Sequence, residues 1–138
     1  MYVTISGNLC ADPDLRHTSD GTEVAELRLA ENRSRKDQAG EWQTDTSFYP
    51  VVCWRNLASR VAASLERGDR VVVVGRMRQE SWTTEAGEKR SRYVVDATDI
   101  AASLRFAGVT VERADRGGEA EPRQYAPDDP ERPFEAAS

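Results

Sequence analysis

Between Ser47 and Val61 the chain reads SFYPVVCWRNLASRV, and the period of its apolar residues changes partway along. Up to Trp54 the repeat is that of a strand, with Phe48, Pro50, Val52 and Trp54 on one face and Tyr49, Val51 and Cys53 on the other. Past Trp54, Leu57, Ala58, Val61, Ala62 and Leu65 recur at helical spacing, Arg60, Ser64 and Glu66 fall outside, and Gly68 ends the run. A strand of a small antiparallel sheet usually shows one face to water. Apolar residues on both faces therefore imply a core face and a second face, with an aromatic at each end, that has another use. Alternation alone does not say which face is inside.

Four further segments alternate like strands: Tyr2 to Asn8, Glu23 to Asn32, Arg70 to Met77 and Arg90 to Ile100. In the second, the apolar markers Val24, Leu27 and Leu29 break phase, which a bulge near Ala25 or Glu26 would restore. Turn residues separate the segments at Ser19-Asp20-Gly21, Ala39-Gly40, Arg67-Gly68-Asp69 and Ala86-Gly87. The order is strand, strand, strand, helix, strand, strand. That is an all-β chain with one short helix, in the element order of the OB-fold, a five-stranded Greek-key barrel whose second and third strands and end loops bind oligonucleotides or oligosaccharides. A different small α+β domain is the alternative.

A chain of 138 residues supports one domain. Its composition changes near Glu112: the stretch RADRGGEAEPRQYAPDDPERPFEAAS is rich in Pro, Gly and charge. Such a segment buries too little apolar surface to offset its ordering entropy. Residues 1–112 are thus expected to form the barrel and 113–138 a flexible, acidic tail. The net charge of -5 divides accordingly, with 15 Lys and Arg against 17 Asp and Glu through Glu112, and 4 against 7 beyond it. Binding of an anion depends on where the charges sit, not on their sum. No apolar run approaches the roughly 20 residues of a membrane span, and the first residues lack a secretory signal pattern, so a cytoplasmic protein without membrane contact is expected. Cys10 and Cys53 form no CxxC pair, and both are expected to be thiols. A cross-link between subunits through Cys10 is the alternative.

Nothing in the pattern points to catalysis, to a metal or to a cofactor. His17, the single histidine, falls in an expected loop without a nucleophile or ligand cluster, and Gly7 and Gly75 stand in no phosphate-cradling run. The aromatics say more. If Tyr49, Val51 and Cys53 face the core, Phe48 and Trp54 point outward, with Trp82 just past the fourth strand and Trp42 in the long loop before the third. Interleaved with them are Arg33, Arg35, Lys36, Arg55, Arg76, Arg78, Lys89, Arg90 and Arg92. Single-stranded nucleic acid needs both ingredients, since bases stack on rings and cations follow the phosphates.

Three longer stretches make the reading specific: ISGNLCADPDLRHTSDGTEVAELRLAENR, GEWQTDTSFYPVVCWRNLASRVAASLERGDRVVVVGRMR and SWTTEAGEKRSRYVVDATDI. From Met1 to Ile100 they resemble the bacterial single-stranded DNA-binding protein family. The resemblance implies an OB-fold homotetramer, assembled through first strands and sheet packing, that binds single-stranded DNA in replication, recombination or repair without strong sequence preference. It implies that Phe48, Trp54 and Trp82 stack on bases, and that Arg16, Arg67, Arg78 and Arg90 lie near DNA. Arg35, Asn56 and Glu80 stand where a stacking ring or a cation is common in the family, so weaker or more salt-sensitive binding is expected. In the family an acidic tail tip ending in Pro-Phe recruits replication and repair proteins. Here Asp128, Asp129, Pro133 and Phe134 match that tip, but Arg132 interrupts it and EAAS displaces the terminal carboxylate, so recruitment is expected to be weak or altered. An RNA-binding OB module, using the same stacking, and an OB-fold scaffold that contacts protein are the rival readings.

Overall fold

A computed structural model describes residues 1–113, and the tail residues Asp128, Asp129, Pro133 and Phe134 lie outside them. The described elements are β1 (Tyr2–Leu9), β2 (Asp14–His17), β3 (Glu23–Lys36), β4 (Trp42–Trp54), α1 (Arg55–Ser64), β5 (Arg70–Thr83) and β6 (Lys89–Ala102). β3 and β4 form an unbroken antiparallel hairpin from Val24 opposite Trp54 to Lys36 opposite Trp42. β4 runs parallel to β6 at Val51 and Val52, β6 is antiparallel to β5, and β5 to β1. The ring closes where Asn8 and Leu9 of β1 meet Ala30 and Leu29 of β3. Those five strands are the expected OB barrel.

Two local expectations fail. Arg16 and His17 do not lie in a loop: they belong to the short strand β2, which attaches to the outside of β3 with Arg16 opposite Val24. A four-residue strand is too short to announce itself by alternation. Nor does β3 bulge near Ala25. Ala25, Leu27 and Leu29 are all buried in one phase, and Val24 is on the other face. The small Ala25, not Val24, is the inward marker.

The irregularity lies instead in β5, between Val74 and Gly75 against β6. A Cβ on Gly75 would stand 2.8 Å from the Cα of Ala97, and one on Gly7 would stand 2.6 Å from the carbonyl oxygen of Ala30. Both glycines let neighbouring strands approach closely at inward positions of the wall. Inside, Ile5, Leu9, Leu27, Leu29, Val51, Val71, Val73 and Val95 form the core, and α1 adds Ala58 and Val61. The chain turns from β4 into α1 with no loop, and Arg55 takes a left-handed φ of 58° to do so. For a residue with a Cβ that conformation is strained.

Candidate nucleic-acid interface

The barrel settles which face of β4 is inside. Val51 and Cys53 are fully buried and Tyr49 packs against the core, whereas Phe48 is 51% and Trp54 42% exposed. The outward phase of β4 continues laterally into Val24, Glu26, Arg28 and Ala30 of β3, and through Val52 into Asp96 of β6. In β5 and β6 the matching outward pairs are Arg76 with Asp96, Arg78 with Val94, Glu80 with Arg92 and Trp82 with Arg90. One outer face thus carries Phe48, Trp54, Trp82 and most of the cations between them.

Each ring has a distinct setting. Trp54 lies beside Val24, which in turn lies beside Arg16, so the added strand β2 brings that arginine to the ring's row. Trp54 and Arg55 also border a cleft of about 370 Å³ with Thr18, Asp20 and Thr22. Phe48 sits under the guanidinium of Arg28, 4.6 Å from the ring centroid. Trp82 is not past a strand but within β5, 43% exposed, on a cleft of about 410 Å³ shared with Gln79, Lys89, Arg90 and Ser91. Trp42 likewise is not in a loop but opens β4, 68% exposed, on the part of the β3–β4 hairpin beyond the barrel. Lys36 Nζ lies 5.3 Å from its ring centroid. The turn that presents Trp42 is held by Asp37, whose carboxylate accepts hydrogen bonds from the backbone N–H groups of Glu41 and Ala39 and from Gln43 Nε2. The Glu41 bond foremost, then that from Gln43, keep this carboxyl below the usual range.

Most of the cations on these strands are of two kinds. Arg16 is paired with Glu26, Arg33 with Glu31, Arg35 with Asp45, Arg78 with Asp96, Arg90 with Glu88, and Arg92 with both Glu80 and Glu26. The hydrogen bond from Arg92 holds the Glu80 carboxyl below its usual range. Arg28, Lys36 and Arg76, by contrast, form no salt bridge among the described residues and lie over Phe48, Trp42 and Tyr2. Cations over ring faces are a second way of holding charge in place.

Not every cation chosen from the sequence joins this face. Arg33 and Arg35 stand opposite Asp45 and Gln43, one residue out of phase with Phe48 and Trp54, and so project from the other side of the hairpin. Arg67 lies between α1 and β5, its N–H bonded to Asp12 in the β1–β2 connection, not on the strands that carry the rings. Arg28 is the residue that sequence reasoning passed over. Its phase with Phe48 could have found it once Ala25, Leu27 and Leu29 were taken as the inward set. Among the described residues no group of His, Cys, Asp and Glu is placed to hold a metal ion, and no helix is long and apolar enough to cross a membrane.

Comparison with known proteins places the barrel in a family. The chain is similar to the single-stranded DNA-binding protein of Corynebacterium glutamicum, 44% identical over 118 residues that cover 84% of this chain and 52% of that protein. It is similar to the protein of the same name from Mycolicibacterium smegmatis, 43% identical over 118 residues, 84% of this chain and 72% of that one. The chain thus spans about half the length of the first and less than three quarters of the second. Among solved structures, the crystal structure of the small single-stranded DNA-binding protein from Streptomyces coelicolor aligns with a TM-score of 0.62 and 30% identity, over 75% of this chain and 94% of that one. The profile of the single-strand binding protein family matches residues 1–103, which is the whole barrel, and the chain belongs to that family.

Proposed function

We propose that this protein binds and protects single-stranded DNA without reading its sequence, as a binding protein and not an enzyme, in the bacterial cytoplasm at the nucleoid. Bases stack on Phe48, Trp54 and Trp82, with Trp42 extending the path along the hairpin, while Arg16, Arg28, Arg55, Arg76, Arg78, Arg90 and Arg92 draw in phosphates. The observation that carries this reading is one outer face on which partly exposed rings alternate with cations. Every base has a π-face, so stacking at about 1–3 kcal/mol per base holds a strand whatever its sequence.

Assembly into a homo-oligomer, a tetramer by family resemblance, is part of the proposal. It is supported by β1, which spends one edge on β5 while only Asn8 and Leu9 pair on the other, leaving backbone groups from Tyr2 to Ser6 for a partner strand. Light scattering on the eluted protein gives the subunit number directly. Recruitment of replication or repair proteins by the tail, weakened by the EAAS extension after Phe134, belongs to the same proposal. Tight binding of a tail peptide to such a partner would overturn that weakening.

The central test is a titration with oligo-dT followed by tryptophan fluorescence at several salt concentrations, beside matched duplex and RNA. The expected result is strong quenching by the DNA single strand and weakening with salt, at a slope of about 0.7 per phosphate contact. Equal or tighter binding of RNA would favour an RNA-binding module. No quenching by any nucleic acid at low salt would move the rings into a protein interface.

A further inference from the structure

Six charged side chains make one continuous chain of contacts across the outer face. Arg16 on β2 donates to Glu26 on β3 at 3.0 Å, and Glu26 is reached by Arg92 on β6 at 3.2 Å. Arg92 Nε donates to Glu80 on β5 at 2.9 Å, Glu80 lies 3.9 Å from Arg78, and Arg78 Nε donates to Asp96 on β6 at 2.5 Å. The signs alternate and cancel.

This chain of charges covers an apolar floor. Val52, between Glu26 and Asp96, and Val94, opposite Arg78, are buried although neither belongs to the barrel core. Aliphatic stems of long charged side chains cover apolar surface in this way while their heads stay in water. The heads are accessible: Glu80, Arg92 and Arg78 are each 39% exposed. A ligand anion can therefore reach them without any strand moving.

A phosphate oxygen and a carboxylate oxygen make the same charge-assisted bond to a guanidinium. We propose that Glu26, Glu80 and Asp96 are built-in competitors of the phosphate backbone: a strand binds here by exchange, taking Arg16 and Arg92 from the two glutamates and Arg78 chiefly from Asp96. The inference rests on the DNA-binding reading above and adds what sets its strength. Arg28, Arg76 and Lys36, which hold no carboxylate, capture phosphate without exchange, whereas the network yields only once a strand is already held. The result is a grip that is deliberately reversible.

Exchange leaves a mark on the salt dependence. A bare cation meeting a phosphate lets the strand shed counterions, with a slope of about 0.7 per contact on single strands. A cation taken from a carboxylate leaves that carboxylate unpaired, where it gathers counterions back. Binding is then weak at low salt but shallow in its salt response. A cation simply missing at position 80 would not by itself produce that pattern.

The test compares Glu26→Gln, Glu80→Gln and the double variant with Glu66→Gln, which makes the same charge change in the exposed loop after α1. Each full-length protein is titrated with oligo-dT across a salt series, and its thermal unfolding is followed. Glu80→Gln is expected to bind about 3- to 10-fold tighter at low salt, with the slope steeper by up to about 0.7, because Arg92 is left with Glu26 alone and Arg78 with Asp96 alone. The double variant goes further, and Glu66→Gln changes affinity less than about twofold. If wild type binds but Glu80→Gln matches Glu66→Gln in affinity and slope, the exchange proposal falls while the DNA-binding reading stands. If neither wild type nor any variant binds, both fall. Should Glu26→Gln fail to fold, Glu80→Gln alone decides, because Glu80 contacts two of the three arginines.

Discussion

Arg28 holds its guanidinium over the ring of Phe48, 4.6 Å from the centroid, and takes part in no salt bridge among the described residues. The two come together because Ala25, Leu27 and Leu29 turn inward, which puts Arg28 on the outer face beside Pro50, one outward position from the pair of Ala30 and Phe48. A planar cation thus occupies the surface that the proposed function gives to a base. A base that stacks on Phe48 displaces Arg28, and the displaced guanidinium carries a charge free to meet the adjoining phosphate.

Phe48→Ala and Trp54→Ala are each expected to weaken oligo-dT binding by about 5- to 150-fold, the equivalent of about 1–3 kcal/mol per stacked base. Arg28→Ala should cost less affinity but lower the salt slope by about 0.7. Fluorescence titration reads all three, and circular dichroism melts check the fold. A Trp54→Ala protein that is unfolded would place that ring in the structural core after all.

Gly75→Ala is expected to destabilise the barrel by about 3 kcal/mol, the upper part of the range for overpacking. Its added methyl would meet the backbone of Asp96 and Ala97, which cannot rotate away as a side chain can. Gly108→Ala, where a Cβ meets nothing within 4 Å, is the matched control and should leave stability within about 0.5 kcal/mol. Urea unfolding of the two variants beside the parent measures the difference.

Burial pushes the Cys53 thiol up to about 11, and its sulfur donates toward the carbonyl of Ala25. Thiolate is the reactive form. At pH 8 an aromatic disulfide reagent should therefore modify Cys10, which is partly exposed, and reach Cys53 only on unfolding. Rapid modification of two thiols in the folded protein would contradict the burial of β4.

Glu80 is held below its usual carboxyl range by the hydrogen bond from Arg92, so its folded pKa lies below its unfolded one. The stabilisation that follows is fully present above the ordinary glutamate range and is lost as pH falls through the depressed folded value. Melting temperatures of the parent and Glu80→Gln should differ by a constant amount from neutral pH down to about pH 5 and converge below it. Both groups are substantially exposed, so the difference is small. A gap that persists unchanged under strongly acid conditions would show that the Glu80 charge contributes nothing.

Much of this protein can be read from residues a few positions apart. The two-residue period of β4, its switch to helical spacing after Trp54, the valines of β5 and the turn glycines mark most elements, because each is a local pattern of burial and backbone preference. The family motifs then tell that Phe48 and Trp54 face outward. Other features exist only once strands lie side by side. β2 is a strand because β3 offers it an edge, Trp42 and Trp82 are strand residues because their hairpins continue past the barrel, and Arg33 and Arg35 leave the binding face through a difference in phase. Arg92 meets Glu26 across 66 residues of chain. Such a pairing depends on the register of strands that are distant in sequence, and a charge carries no local trace of the partner that the closed barrel will set beside it.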